Sequence, residues 1–289
     1  MQKTGYYFFR LTVLIFSAVP FFLLYFLSDI LYLFFYYVLK YRKDVVFKNL
    51  RNSFPEKSDT EIRKIAKGFY RHLSDITVES IKGLSMSRKS LLKRYKVVNL
   101  ELLDPYYEKG QSVIGLAAHY NNWEWGVAGF GYQFRHKSIG LYKPLSNKYI
   151  DNYVRKSKVA AGMFLVPIKQ TRHTFEEKHE KPAIFLMISD QSPSNLKKAI
   201  WVKFLNQDTA CLHGAEYYSK KYNIPLIFGD VQRIKRGYYE VKLSVFEDNP
   251  RETAEGEITR RFMKTIEEII KEKPENWLWS HKRWKHKKQ

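Results

Sequence analysis

Between Leu11 and Leu39 the chain carries a single charged residue, Asp29. No other feature limits the fold so strongly, because so apolar a stretch must either meet lipid or be covered by protein. Leu11–Leu27 is wholly uncharged and, as one helix, would reach about 26 Å, close to the hydrocarbon thickness of a bilayer. Ile30–Leu39 continues the apolar and aromatic run but is too short to cross again. Tyr and Phe crowd both ends, as side chains at membrane interfaces do, and Pro20 is expected to kink the helix. A cleaved signal peptide fits poorly, since the apolar region is long and no small-x-small site follows it; a buried soluble helix is the remaining alternative. Lys3 and Arg10 precede the stretch, and the denser cluster Lys40, Arg42, Lys43, Lys48 and Arg51 follows it. That asymmetry places the bulk of the chain on the cytoplasmic side. The expected organisation is a membrane anchor over residues 1–40 and one continuous domain over residues 41–289.

Charge narrows the partners. Fifty Lys and Arg against 29 Asp and Glu give a net charge of +21, while aromatics at 16% exclude a disordered basic tail. Such an excess points to a polyanionic partner. The basic residues are dispersed except near the C-terminus, and no helix-turn-helix, RRM or KH signature is present, so nucleic acid is not the expected partner. One cysteine, Cys211, rules out a disulfide framework and a cysteine-based zinc site. His72, His136, His173, His179 and His213 have no metal-ligand spacing and read as ordinary surface or loop residues. The expected chemistry uses no metal and no cofactor, and belongs in a reducing compartment.

The remaining chain alternates strands and helices. Ser58 and Glu61 are spaced as a capping box ahead of a helix with Ile62, Ile65, Phe69, Leu73 and Ile76 on one face. Val113–Ala118, Ser138–Tyr142, Ala183–Ser189 and Leu226–Asp230 read as short buried strands, and Tyr239–Phe246 as a half-covered one. Asn147–Val159, Gly214–Tyr222 and Glu255–Lys271 read as helices. This order predicts an α/β fold with a mostly parallel central sheet flanked by helices, carrying the anchoring helix at its N-terminus.

The most informative segment is Ala117-Ala118-His119-Tyr120-Asn121-Asn122-Trp123-Glu124-Trp125. An apolar strand delivers His119 at its C-terminal end, where open α/β sheets bind ligands. Asn121 or Asn122 caps the helix that follows and puts Glu124 in its first turn, where the helix dipole keeps a carboxylate ionised. On one unbroken helix residues five apart would point about 140° from each other, so the strand-to-helix break is what would let the imidazole and the carboxylate meet. A carboxylate beside an imidazole fixes its tautomer and stabilises the imidazolium.

His119 through Glu124 resembles the His-x4-Asp/Glu motif of the glycerolipid acyltransferases, and Asn122-Trp123-Glu124 is similar to the subgroup acting on lipid A precursors, the late acyltransferases. Tyr142-Lys143-Pro144 with Asn147, Asp190-Gln191, and Trp277-Leu278-Trp279 leading to His281-Lys282-Arg283-Trp284-Lys285 resemble further blocks of that family in the same order. Arg42 to Pro55 is similar to the segment that follows the family's anchor. The resemblance spans essentially the whole chain. It implies a glycerol-3-phosphate-acyltransferase-like fold with residues 41–289 as the catalytic domain. It also implies transfer of a fatty acyl group from acyl carrier protein to a hydroxyl of a phosphorylated glucosamine lipid, at the cytoplasmic face of the bacterial inner membrane. His119 would be the general base and Glu124 its orienting partner, with Arg155, Asp190, Asn122 and Lys143 binding substrate. Lys143 stands where many members carry Arg, and Lys lacks the bidentate fork. The loop Ser192–Lys198 lacks the glycines usual after Asp-Gln.

A thioester is already activated, so the demand is a positioned base and donors for the oxyanion, for which amides at the helix start after His119 are candidates. Ser112 and Cys211 show no signature of an activated nucleophile. A lysophospholipid or an amino-acid-derived lipid as acceptor would use the same chemistry. The excess positive charge suits acidic acyl carrier protein, a phosphorylated acceptor and an anionic membrane alike. Trp277 and Trp279 are expected to pack in the core, and the basic residues after Arg283 are read either as a membrane contact or as a solvated tail.

Overall fold

The computed structural model describes residues 2–288. In chain order the elements are α1 (Gln2–Ala18), α2 (Phe21–Leu33), α3 (Lys43–Ser53), α4 (Asp59–Gly83), α5 (Arg88–Arg94), β1 (Tyr95–Val97), α6 (Asp104–Glu108), β2 (Val113–Ala117) and α7 (Trp123–Gln133). They continue with β3 (Lys137–Tyr142), α8 (Lys148–Ala160), β4 (Met163–Pro167), α9 (Thr171–Glu176), β5 (Ala183–Ile188), β6 (Ile200–Phe204) and β7 (Gln207–Cys211). The last are α10 (Gly214–Tyr222), β8 (Leu226–Lys235), β9 (Tyr238–Glu247) and α11 (Glu257–Glu272).

Seven strands form one sheet in the order β1-β9-β8-β2-β5-β3-β4, so β2 lies at its centre. Neighbours are parallel except β8 and β9, which run antiparallel. The fold is thus the expected α/β arrangement with a mostly parallel sheet. Strand side chains alternate between two cores, as their period of two requires. Ile114 and Leu116 of β2, with Ala183 and Phe185 of β5, face the core built with Ile62 and Phe69 of α4 and Phe262 and Ile266 of α11. Val113 and Ile184 face the opposite core, with Trp125 and Phe130 of α7. β6 and β7 form a separate antiparallel hairpin.

α4 begins with both arms of the capping box: the Glu61 amide donates to Ser58 Oγ, and the Ser58 amide donates to Glu61 Oε2. β8 extends to Lys235, well past the expected Asp230, because β9 pairs along its length through a bulge at Arg233/Lys235.

The expected continuous helix through Leu11–Leu27 does not form. α1 stops at Ala18 and α2 starts after Pro20, whose ring cannot continue a helix or donate a backbone hydrogen bond. The carbonyls freed at the break are held by one side chain: Lys82 Nζ donates to Phe16 O, Ser17 O and Val19 O at 2.8, 2.7 and 2.9 Å. Among the described residues, the stretch long and apolar enough to cross a membrane is Phe21–Val38, α2 with the π-helical turn Phe34–Val38. It is fastened along one side to the domain. Leu24, Ser28, Tyr32 and Tyr36 are buried at a spacing of four, and Tyr25 donates to Glu79, Ser28 to Asp75 and Arg236 to Asp29. The opposite side, with Phe22, Phe26, Ile30, Leu33 and Val38, is exposed.

Candidate active site

The register of the two central strands brings the site together. Ala117 of β2 pairs with Ile188 of β5, and the Ser189 amide donates to Ala117 O at 3.1 Å. Both chains leave the sheet at the same level, which sets His119 beside Asp190. The His119 backbone amide donates to Asp190 Oδ2 at 3.1 Å, and His119 Nδ1 lies 2.7 Å from Asp190 Oδ1. Trp277 Nε1 donates to Asp190 Oδ2 at 2.8 Å. Burial pushes the Asp190 carboxyl upward, but the imidazole and these donors outweigh it and hold the group below its ordinary range. An ionised carboxylate only accepts, so in the neutral imidazole Nδ1 carries the proton and Nε2 the lone pair. Gln191 Nε2 lies 3.1 Å from His119 Nε2. The imidazole remains 17% exposed while Asp190 is only 2% exposed, so His119 is the accessible member of the pair.

After His119 the chain turns sharply. Asn121 takes a left-handed conformation (φ 54°) that Asn tolerates better than most residues. Its amide donates to Asn276 O and its side chain to Val231 O. Asn122 is the N-cap of α7, its Oδ1 accepting from the Trp125 amide at 2.8 Å. Its Nδ2 donates to Glu79 Oε2 at 2.6 Å and the residue is fully buried, so Asn122 is committed to the scaffold rather than free to bind substrate as expected. Glu79 also accepts from Tyr25 and Tyr239 and, through its carbonyl, from the Trp125 indole. Burial and neighbouring Asp75 raise its carboxyl to about 7.

The expected pairing of His119 with Glu124 is replaced. Glu124 occupies the second position of α7 on the side facing α8, where its Oε2 lies 3.7 Å from Lys158 Nζ and its carbonyl accepts from Lys158 at 2.8 Å. Burial lowers the Lys158 ammonium and Glu124 opposes that shift. The strand-to-helix turn swings the carboxylate toward α8, and the strand register supplies Asp190 to Nδ1 instead. Trp123 lies edge-on to His119 at 5.2 Å.

Arg155 is exposed on α8, bonded to Asn152 Oδ1, and makes no ion pair with Asp190; its charge is felt at Tyr142, at the end of β3. Lys143 is exposed in the loop after β3. The site residues the structure joins are therefore His119 and Asp190, while Glu124 is held one turn along with Lys158.

The C-terminal blocks close over this centre. Tyr120 bridges Trp277, and Asn49 donates to Trp279 O and His281 O. His281 Nε2 accepts from the Ser192 amide at 3.2 Å, and burial lowers its imidazole to about 4. Trp277 and Trp279 are buried as expected, although Trp277 also serves Asp190. Arg283 is buried against Ala210 O and Cys211 Sγ, Trp284 donates to Thr209, and His286 meets Pro193 O, so the segment is packed at least to His286. His72 and His136 are buried rather than superficial; burial and Arg233 lower His72 to about 3. Cys211 is fully buried with its thiol raised, and Ser112 Oγ accepts from the Ala183 amide.

Residues 1–286 match the sequence profile of the bacterial lipid A biosynthesis acyltransferases. The chain belongs to this family. A curated relative, the lipid A biosynthesis lauroyltransferase of Escherichia coli (strain K12), is 21% identical over 252 residues, covering 86% of this chain and 80% of the relative. Within this acyltransferase, the block Asp190-Gln191 and the tryptophan block surround the motif histidine in three dimensions. The roles of Gln191, Lys158 and Glu79 are invisible to the motif alone; for Gln191 the adjacency to Asp190 is the one available signal.

Proposed function

We propose that this acyltransferase moves a fatty acyl chain from acyl carrier protein to a hydroxyl of a phosphorylated glucosamine lipid, a lipid A precursor. The observation that carries the reading is the partly exposed His119 imidazole, its Nδ1 held by the buried Asp190 and its Nε2 met only by the Gln191 amide among the described residues. The acceptor hydroxyl takes the place of the Gln191 amide at Nε2 and gives up its proton as its oxygen attacks the thioester carbonyl. The tetrahedral intermediate collapses by breaking the carbon–sulfur bond, and the imidazolium returns the proton to the leaving thiolate. Asp190 stabilises the imidazolium and keeps the tautomer, as an anion on Nδ1 does in other histidine bases. The first-turn amides of α7, Trp123 and Glu124, have no backbone acceptor among the described residues and suit the oxyanion. Glu124 supports the site from that first turn by neutralising Lys158. Arg155 and Lys143, exposed on the rim, provide positive charge for the phosphorylated acceptor or the acidic carrier.

The exposed apolar sides of α1 and α2 rest in the cytoplasmic leaflet of the bacterial inner membrane, with the domain in the cytoplasm. Their lateral fastening by Lys82, Glu79, Asp75 and Arg236 favours lying in one leaflet over crossing.

The test is acyl transfer by the detergent-solubilised chain, using acyl-carrier-protein thioesters of several chain lengths and a panel of acceptors. Transfer to a lipid A precursor that disappears in His119→Ala, with the variant still folded and membrane-bound, is the expected result. Turnover on lysophospholipid alone, or wild-type turnover by His119→Ala, overturns the reading.

A further inference from the structure

A cavity of about 580 Å³ does not include His119, Asp190, Gln191 or Glu124 in its lining. It lies beneath α1, which bridges α8 like an arch. One end of the arch is tied where Gln2 Nε2 donates to Ser146 O and Asn147 Nδ2 donates to Gln2 O; the other is tied by Lys82. Between them Tyr6 meets Tyr149 at 6.0 Å and Phe9 meets Tyr153 edge-on at 5.8 Å. The volume falls within the range of small-molecule sites, roughly 300–1,000 Å³.

Its chemistry is two-sided. Leu84, Met86, Leu91 and Ala128 give the interior apolar surface, whereas Arg10 and Lys156 are exposed at the rim. Among the described residues, no Asp or Glu lines the cavity. Arg10 bonds the Tyr6 hydroxyl and lies over the Tyr153 ring, and among the described residues Lys156 has no hydrogen bond or ion pair. Neither cation is neutralised. On its other side α1 exposes Tyr7, Phe8, Leu11, Leu14 and Ile15, which sets the rim at headgroup level when that side meets lipid.

From this juxtaposition of two unneutralised cations, an apolar interior and a lipid-facing helix, we infer a binding site for one chain of an anionic bilayer phospholipid. The phosphate sits between Arg10 and Lys156, one acyl chain enters the cavity, and the second chain remains in the bilayer. The cavity lining does not include His119 or Asp190, and the test of the site requires no turnover.

The full chain is reconstituted into vesicles of equal parts phosphatidylglycerol and phosphatidylcholine, extracted gently, and examined by native mass spectrometry. One retained phosphatidylglycerol is expected, with retention at least tenfold lower in Arg10→Gln/Lys156→Gln, two exposed positions whose replacement spares the core. Ala128→Phe, which fills the interior, should lower retention with Arg10 and Lys156 intact. Millimolar inorganic phosphate, having no chain, should leave retention unchanged. Equal retention of the two lipids, undiminished phosphatidylglycerol in the double variant, or displacement by phosphate alone would each overturn the inference.

Discussion

His119 and Asp190 lie 71 positions apart in the chain, yet the carboxylate meets the imidazole Nδ1 at 2.7 Å and the same residue's backbone amide at 3.1 Å. This double contact ties ring orientation to the register of β2 and β5. In the mechanism proposed above, the base is thereby built by the sheet, and the helix start after it is left to serve the oxyanion.

Trp277 is the remaining donor to Asp190, so Trp277→Phe tests how far that carboxylate must be held down. Losing a hydrogen bond to a charged group costs about 1.5–3 kcal/mol. The expected kcat falls by about tenfold or more, and the acid limb of the pH–rate profile moves to higher pH as Asp190 protonates more readily. An unmoved acid limb contradicts the role given to Trp277.

Glu124 and Lys158 make a second test. Glu124→Ala should greatly reduce transfer, because it strands the buried Lys158 ammonium beside the start of α7, where the proposed oxyanion donors lie. Adding Lys158→Met removes the stranded charge and should restore part of the activity. Were Glu124 acting on the imidazole itself, the second substitution would recover nothing.

Glu79 gives stability a pH dependence of defined sign. Its folded-state value, about 7, lies above the ordinary 4.5, so between those limits the folded chain binds more protons than the unfolded one. This contribution is complete below about pH 4.5 and is lost as pH rises through about 7. Thermal unfolding of the wild type and Glu79→Gln between pH 5 and 8 should show the wild type losing stability relative to the variant as pH rises. Parallel curves would mean that Glu79 is already ionised throughout.

Gly131→Ala addresses packing of α7 against the turn before β4. A Cβ there would stand 2.3 Å from Ala161 O and 2.8 Å from Gly162 C, both backbone atoms that cannot rotate away. Overpacking of this kind costs about 1–3 kcal/mol. The denaturation midpoint should fall; an unmoved midpoint would mean that the Ala161–Gly162 turn gives way without cost.

What could be read from the sequence follows the range of the interactions. The capping box at Ser58, the strands β2, β3 and β5 and the Asn122 cap are local, and each stands where the sequence places it. The β6–β7 hairpin was missed because its turn places Leu205 and Asn206 at φ 46° and 65°, a conformation usually announced by Asn-Gly or Gly-Gly. Pro20 announced a kink, but the complete break rests on Lys82, more than sixty residues away. The same limit applies at the site. Spacing alone made Glu124 the natural partner of His119, whereas the actual partner comes from strand pairing, which no local pattern encodes.

The most direct measurement is the single-turnover rate of acyl transfer by Asp190→Asn. The amide keeps the volume but removes the charge that stabilises the imidazolium and can hold His119 in the wrong tautomer, so the rate should fall on the order of 10⁴-fold in a folded protein that still binds both substrates. A folded Asp190→Asn chain transferring acyl groups at the wild-type rate would contradict the account.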